Sequence, residues 1–120
     1  MNDAFKDGIT LFNRREYFAC HEVLEEAWQK ATEEDRKFYE GLIQLATALH
    51  LRFHRGGYIG TINLLTQALR HLEDYRPQYQ RIAVDTLYRE IETYLEELRS
   101  SKRERASFFE RFRAPRIRLV

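Results

Sequence analysis

From Tyr17 to Trp28 the chain reads Tyr-Phe-Ala-Cys-His-Glu-Val-Leu-Glu-Glu-Ala-Trp, a helix-compatible run with an imidazole, a carboxylate and an indole on one side. At about 100° per residue, His21 and Trp28 lie within about 20° of each other and Glu25 lies about 40° from His21. The apolar arc of the same run, Tyr17, Cys20, Leu24, Ala27, Trp28 and Ala31, contains His21 and stops just short of Glu25. Ionisable groups this close to a core must be paired, hydrogen-bonded or functional.

A second run supplies the partners. Arg36, Ile43, His50 and His54 fall within about 40° on one helical wheel, with Tyr39 and Thr47 at its border. If the two helices pack antiparallel, His21 and Glu25 face the middle of that stripe. The predicted polar cluster is therefore His21, Glu22, Glu25, Trp28, Arg36, Gln44 and His50. Three chemistries fit it. A closed His–Glu–Arg or His–Glu–Gln network would fix the register of two helices and requires nothing beyond the fold. An acid–base pair of Glu25 and His21 at the mouth of a pocket would serve a ligand or a reaction. A metal could take His21, Glu25 and His50, although the spacing is not His-Glu-x-x-His and a di-iron bundle needs more carboxylates. The expectation is the first, with no metal and no cofactor.

Only two prolines and five glycines occur in 120 residues, which points to an all-α chain. Asn2 caps a first helix carrying Phe5, Ile9 and Phe12, and the chain turns near Asn13-Arg14 into a second helix running to about Ala31. Thr32-Glu33-Glu34-Asp35 opens a third, whose wide apolar arc from Phe38 to Phe53 makes it central. Gly56-Gly57 ends it. A fourth helix carries Tyr58, Ile62, Leu65, Leu69 and Leu72 and stops at Arg76-Pro77. Val84, Tyr88, Ile91, Leu95 and Leu98 mark a fifth. The predicted fold is a compact bundle of about five helices opening with an antiparallel helix hairpin. After it, one helical turn is expected around Phe108-Phe109 before Pro115, and Ile117 to Val120 reads as an extended end.

Charge divides the chain in two. Residues 1–98 carry 12 Lys and Arg against 17 Asp and Glu, whereas residues 99–120 carry 8 against 2. Residues 1–99 are thus expected to form the helical domain and 100–120 a basic segment docked on the body or on a second subunit. Docking should bury Phe108, Phe109 and Phe112 and set the arginines near Glu92, Glu96 and Glu97. Arginines interleaved with aromatics also suit a nucleic acid, but a net charge of +1 weakens that field, so docking is preferred. No apolar run approaches a membrane-spanning length and no secretory leader is read, so no membrane partner is expected. A single cysteine, Cys20, reads as a small buried hydrophobe in a reducing, cytoplasmic setting. His54 reads as a helix C-terminal histidine favoured by the dipole, and His71 as solvated. No Gly-rich phosphate loop, nucleophile elbow or paired-cysteine motif occurs.

Three blocks carry a family resemblance. They are Leu11-Phe12-Asn13 with Tyr17-Phe18 and His21-Glu22-x-Leu24-Glu25-x-x-Trp28; Arg36-x-Phe38-Tyr39-x-Gly41-Leu42-Ile43-Gln44-Leu45-Ala46 to His50; and Gly56-Gly57 through Gly60 into Leu64-Leu65 and Ala68-Leu69. On these the chain resembles the bacterial and archaeal domain-of-unknown-function family 309 over about residues 8–75. The third block departs from the pattern, reading Gly57-Tyr58 for Gly-Asn and Gly60-Thr61 for Gly-Ala. The resemblance implies a bundle of about five helices without an assigned activity. The expected function is that of a small helical binding or interaction module, working through self-association or a protein partner. The alternative is a small enzyme or metal protein using His21, Glu25 and His50.

Overall fold

In the computed structural model, which describes residues 2–120, five α-helices account for most of the chain: α1 (Asp3–Asn13), α2 (Tyr17–Lys30), α3 (Glu33–His50), α4 (Ile59–Leu72) and α5 (Val84–Ser101). The starts of α1 and α3 follow from local chemistry. The Asn2 side chain accepts the Phe5 amide at 2.8 Å and caps α1. Thr32 has extended N-cap geometry before α3, but its hydroxyl makes no cap bond; Glu33, Glu34 and Asp35 in the first turn complement the helix dipole instead. At the other end α3 widens into a π-helical turn over Leu51–Arg55, and Gly56 closes it at φ 72°. That left-handed conformation is one glycine adopts without a Cβ penalty.

The helices pack in chain order, with α3 between α2 and α4 and α5 closing on α4. A three-residue link, Arg14 to Glu16, folds α1 against α2. Gly8 lets them approach, since a Cβ there would sit 2.7 Å from Leu24 Cδ2. The core is mainly apolar, with Phe5, Phe38, Leu45, Leu49, Leu65 and Ile91 fully buried. A Cα radius of gyration of 13.3 Å agrees with about 13.6 Å for a folded chain of this length.

After α5 the chain makes a 3-10 helix, Phe108–Arg113, then runs extended to Val120. The extended end pairs with the link before α5: Ile82 bridges Leu119, the Ala83 amide donates to the Arg118 carbonyl, and the Val120 amide donates to the Arg81 carbonyl. Asn13 brackets Ile117, donating to its carbonyl at 2.8 Å and accepting its amide at 2.9 Å. Ala114 and Ile117 are buried. Arg113 pairs with Glu97 at 3.0 Å and Arg118 pairs with Glu90.

One expectation about this segment fails. Phe108, Phe109 and Phe112 are 63%, 67% and 57% exposed, not buried. The reason is the three-residue period of a 3-10 helix, which stacks i on i+3. Glu110 and Arg113 share one column and face the body. Phe108 with Arg111, and Phe109 with Phe112, form the other two and face solvent.

Candidate functional site

The α2–α3 seam brings some of the predicted cluster together and leaves the rest apart. His21 Nε2 lies 3.4 Å from Glu25 Oε1, with the two side chains 27% and 54% exposed. Across the seam, the Phe18 ring stands 6.1 Å from the His21 ring and 5.3 Å from the His50 ring. His50 lies 5.0 Å from His54, so a line of imidazoles runs along the end of α3 with an exposed phenylalanine beside it. One turn further along α2, the Arg36 guanidinium lies 4.9 Å over the Trp28 ring. Stacked there it makes no ion pair among the described residues.

Glu22 is exposed and outside the cluster. Gln44 is outside it too. The Gln44 side chain faces α4, donating to Gln67 Oε1 at 3.0 Å and bonding His71 Nδ1 at 2.6 Å. Gln44 sits about 120° from His50 around α3, too far to share its face. His71 is accordingly half-buried and bonded, not simply solvated.

No closed network forms at the seam. Among the described residues, His21 Nδ1, Trp28 Nε1 and His50 Nδ1 are all buried and have no hydrogen-bond partner. Such atoms cost stability wherever they occur, so three on one face call for a reason other than folding. Burial holds the His50 pKa below the usual histidine range, reinforced by His54, Arg55 and His21. Glu25 is too solvated to be the buried partner its position predicted. Glu25→Ala and Glu26→Ala should therefore have denaturation midpoints within about 0.5 kcal/mol of each other; a Glu25 loss of about 1–3 kcal/mol would restore the buried pair.

None of three surface grooves is lined by His21, Glu25 or His50. A groove of about 830 Å³ lies between α5 and the 3-10 helix, lined by Thr93, Glu96, Glu97, Arg103, Phe109 and Arg113 among others. One of about 500 Å³ lies where the start of α1, the end of α2 and the start of α3 meet, and one of about 250 Å³ lies on α5. Among the described residues no three His, Cys, Asp or Glu side chains are grouped to hold a metal ion. Cys20 is buried, and burial pushes its thiol up to about 12, which removes it as a nucleophile at neutral pH.

The most heavily buried charge lies elsewhere and escaped the sequence reading. Arg52, 1% exposed, donates to both carboxylate oxygens of Glu110, at 2.7 and 2.9 Å. Its remaining nitrogen donates to the carbonyls of Arg103 at 2.9 Å and Glu104 at 3.1 Å. Tyr94 donates to Glu110 at 2.6 Å. Burial opposes ionisation of Glu110, but Arg52 and Tyr94 overcome it and hold its pKa below the usual carboxylate range. Every member is satisfied, which makes this a structural clamp on the C-terminal segment. A signal was present: Arg52 falls about 20° from Leu45, between Leu45 and Ala48 on the apolar arc of the third helix, where a charge needs a buried partner.

The model of a family described as Domain of unknown function (DUF309) matches residues 5–64, half of the chain. The chain belongs to the DUF309 family. The match spans α1 to α3 and the start of α4, and so includes every residue of the seam. An uncharacterized protein of Aquifex aeolicus (strain VF5) is 34% identical over 101 residues, covering 83% of this chain and 29% of that protein. The uncharacterized protein YpuF of Bacillus subtilis (strain 168) is 36% identical over 100 residues, covering 75% of this chain and 58% of that protein. The chain thus spans less than two thirds of the length of either relative. No solved structure matches. DUF309 carries no assigned biochemical function, and among the described residues no helix is long and apolar enough to cross a membrane.

Proposed function

We propose that this chain is a binding module that recognises a partner through a surface, the α2–α3 face carrying Phe18, His21, His50 and His54. The observation that carries the reading is the pair of buried, unpartnered ring nitrogens of His21 and His50 beside the exposed Phe18, with a third at Trp28 further along α2. A face built for folding alone would satisfy those nitrogens or replace them with carbon. A catalytic site would need a cavity or a converging ligand set beside Glu25 and His21, and the grooves lie elsewhere. On the same reading, residues 100–120 are an integral edge of the module, an inference supported by the burial of Glu110 and Ile117. A cytoplasmic setting is supported by the single free thiol.

Replacing His50 by Leu separates this reading from a structural network. At pH 7.5 His50→Leu should match or exceed the parent in urea unfolding, because it removes an unpaired buried nitrogen and keeps contact with Phe18. A loss of about 1–3 kcal/mol would show instead that the imidazole holds the fold together. The pH dependence follows from the lowered pKa. The folded state binds a proton at His50 less readily than the unfolded chain does. Stability contributed by neutral His50 is therefore present above about pH 6.5 and is lost as pH falls through the folded pKa. His50→Leu should reduce the fall in stability as pH drops below about 6.5.

A further inference from the structure

We propose that the exposed aromatic and cationic face formed by Phe108, Phe109 and Phe112 with Arg15 and Arg111 binds single-stranded nucleic acid, its bases stacked on the rings and its phosphates on the guanidiniums. The proposal rests on the reading of the chain as a surface-binding module and names the partner's chemistry.

Three observations carry it. The first is the packing of the rings. Their centroids lie 5.2, 6.0 and 6.5 Å apart, and two of the three pairs meet edge to face, which leaves ring faces open at 57–67% exposure. The second is the place of the cations. Arg15 lies 5.1 Å from the centroid of Phe112 and Arg111 lies 5.0 Å from that of Phe108, so charge and ring alternate within a few ångströms. Neither arginine makes an ion pair among the described residues. The third is the local charge. Residues 99–120 hold 8 basic against 2 acidic side chains; Glu110 is buried and already neutralised by Arg52, and although Arg113 and Arg118 pair with Glu97 and Glu90, the other six basic side chains make no ion pair among the described residues.

Interleaved cations and rings match a strand in which each base hangs beside its own phosphate. An anionic membrane asks for a different layout, an apolar stripe with the charges along its rim. Here two guanidiniums stand among the rings and not along a rim, and the segment is a six-residue 3-10 helix. A duplex hides its base faces in the stack, so the rings would have nothing to meet. The face also runs on toward the α2–α3 seam: Arg15 precedes α2, and Phe18, one turn beyond it, touches His50.

The test is fluorescence anisotropy of the full chain with a labelled oligouridylate of about twelve nucleotides. Contact of the two guanidiniums with about two phosphates predicts roughly 7-fold weaker binding at about 200 mM salt than at about 50 mM. The double variant Phe109→Ser/Phe112→Ser should fold normally by circular dichroism and bind at least about tenfold more weakly. A matched duplex should bind the parent at least about tenfold more weakly than the single strand. The proposal is overturned by no binding at low salt, by equal binding of the serine variant, or by equal binding of the duplex. Binding to phosphatidylserine vesicles but not to the oligonucleotide would assign the face to a membrane. A dimer that dissociates in the serine variant, with no oligonucleotide binding, would assign it to a second copy. A positive oligonucleotide result alongside a destabilised His50→Leu would retain this face and remove the seam from the binding surface.

Discussion

Arg52→Ala should lower stability by about 3–5 kcal/mol, the range for breaking a buried ion pair from one side. The guanidinium has no access to water and answers five acceptors in all: both oxygens of Glu110 and the carbonyls of Gly57, Arg103 and Glu104. Removing it leaves a buried carboxylate held by Tyr94 alone. The loss should be concentrated in the C-terminal segment, so limited proteolysis near residues 103–113 should become faster as well as the urea midpoint lower. Arg52→Ala combined with Glu110→Ala should cost less than the two single losses added, with a coupling of about 0.5–3 kcal/mol. The pH dependence has the same origin. Because the folded pKa of Glu110 is lowered, its contribution is present above the unfolded value of about 4.3 and is lost as pH falls through the folded value. The parent should therefore lose stability below about pH 4 in a way that Glu110→Gln does not. Purely additive losses and an unchanged proteolytic pattern would mean that Arg52 is not the clamp.

Phe38→Ala is the second large effect, expected at about 3–5 kcal/mol in urea unfolding. Phe38 is fully buried and its ring lies 6.0 Å from Phe5, 5.2 Å from Tyr75 and 5.0 Å from Tyr79. It therefore joins α1, α3, the turn after α4 and the link before α5. That link is one side of the pairing that seats the extended end, so a cavity here loosens both halves of the chain. Phe38→Leu keeps most of the volume and should cost less than half as much. A loss below about 1 kcal/mol for the alanine variant would show that the neighbouring rings close the gap.

The helices were legible because each is amphipathic with a period near 3.6 and is bounded by residues that stop it: Asn2, Gly56 and Pro77 are examples. The extended end was legible from Ile117 to Val120 alone, but its partner was not, since Ile82 sits in a short link with no pattern. The seam was half legible. A helical wheel gives the angle of His21, Trp28 and His50 correctly, but it does not give depth, and Glu25 at the edge of the arc lies in water. Gln44 shows a related limit. The apolar arc of α3 is wide enough to serve α2 and α4 together, and spacing on one helix does not say which neighbour a polar residue meets. Arg52 and Glu110 are 58 residues apart, and nothing local links them. The phenylalanines were placed inward because three so close together are costly to expose, and an α-helical turn would gather them within about 100° on one face. The 3-10 period instead gave the inward column to Glu110 and Arg113.

The central claim is that this DUF309 chain works through one continuous face, from His54 past Phe18 and Arg15 to Phe108. A titration of the ¹⁵N-labelled full chain with the oligouridylate, followed by amide and aromatic NMR signals, tests it most directly. The account predicts saturable shifts at Arg15, Phe18, His50, His54 and Phe108 to Phe112, with the α1–α2 end carrying Lys30 and Thr32 unmoved. Shifts confined to the α5 groove around Glu96 and Glu97, or no shifts at Phe18 and the three C-terminal phenylalanines, would contradict it.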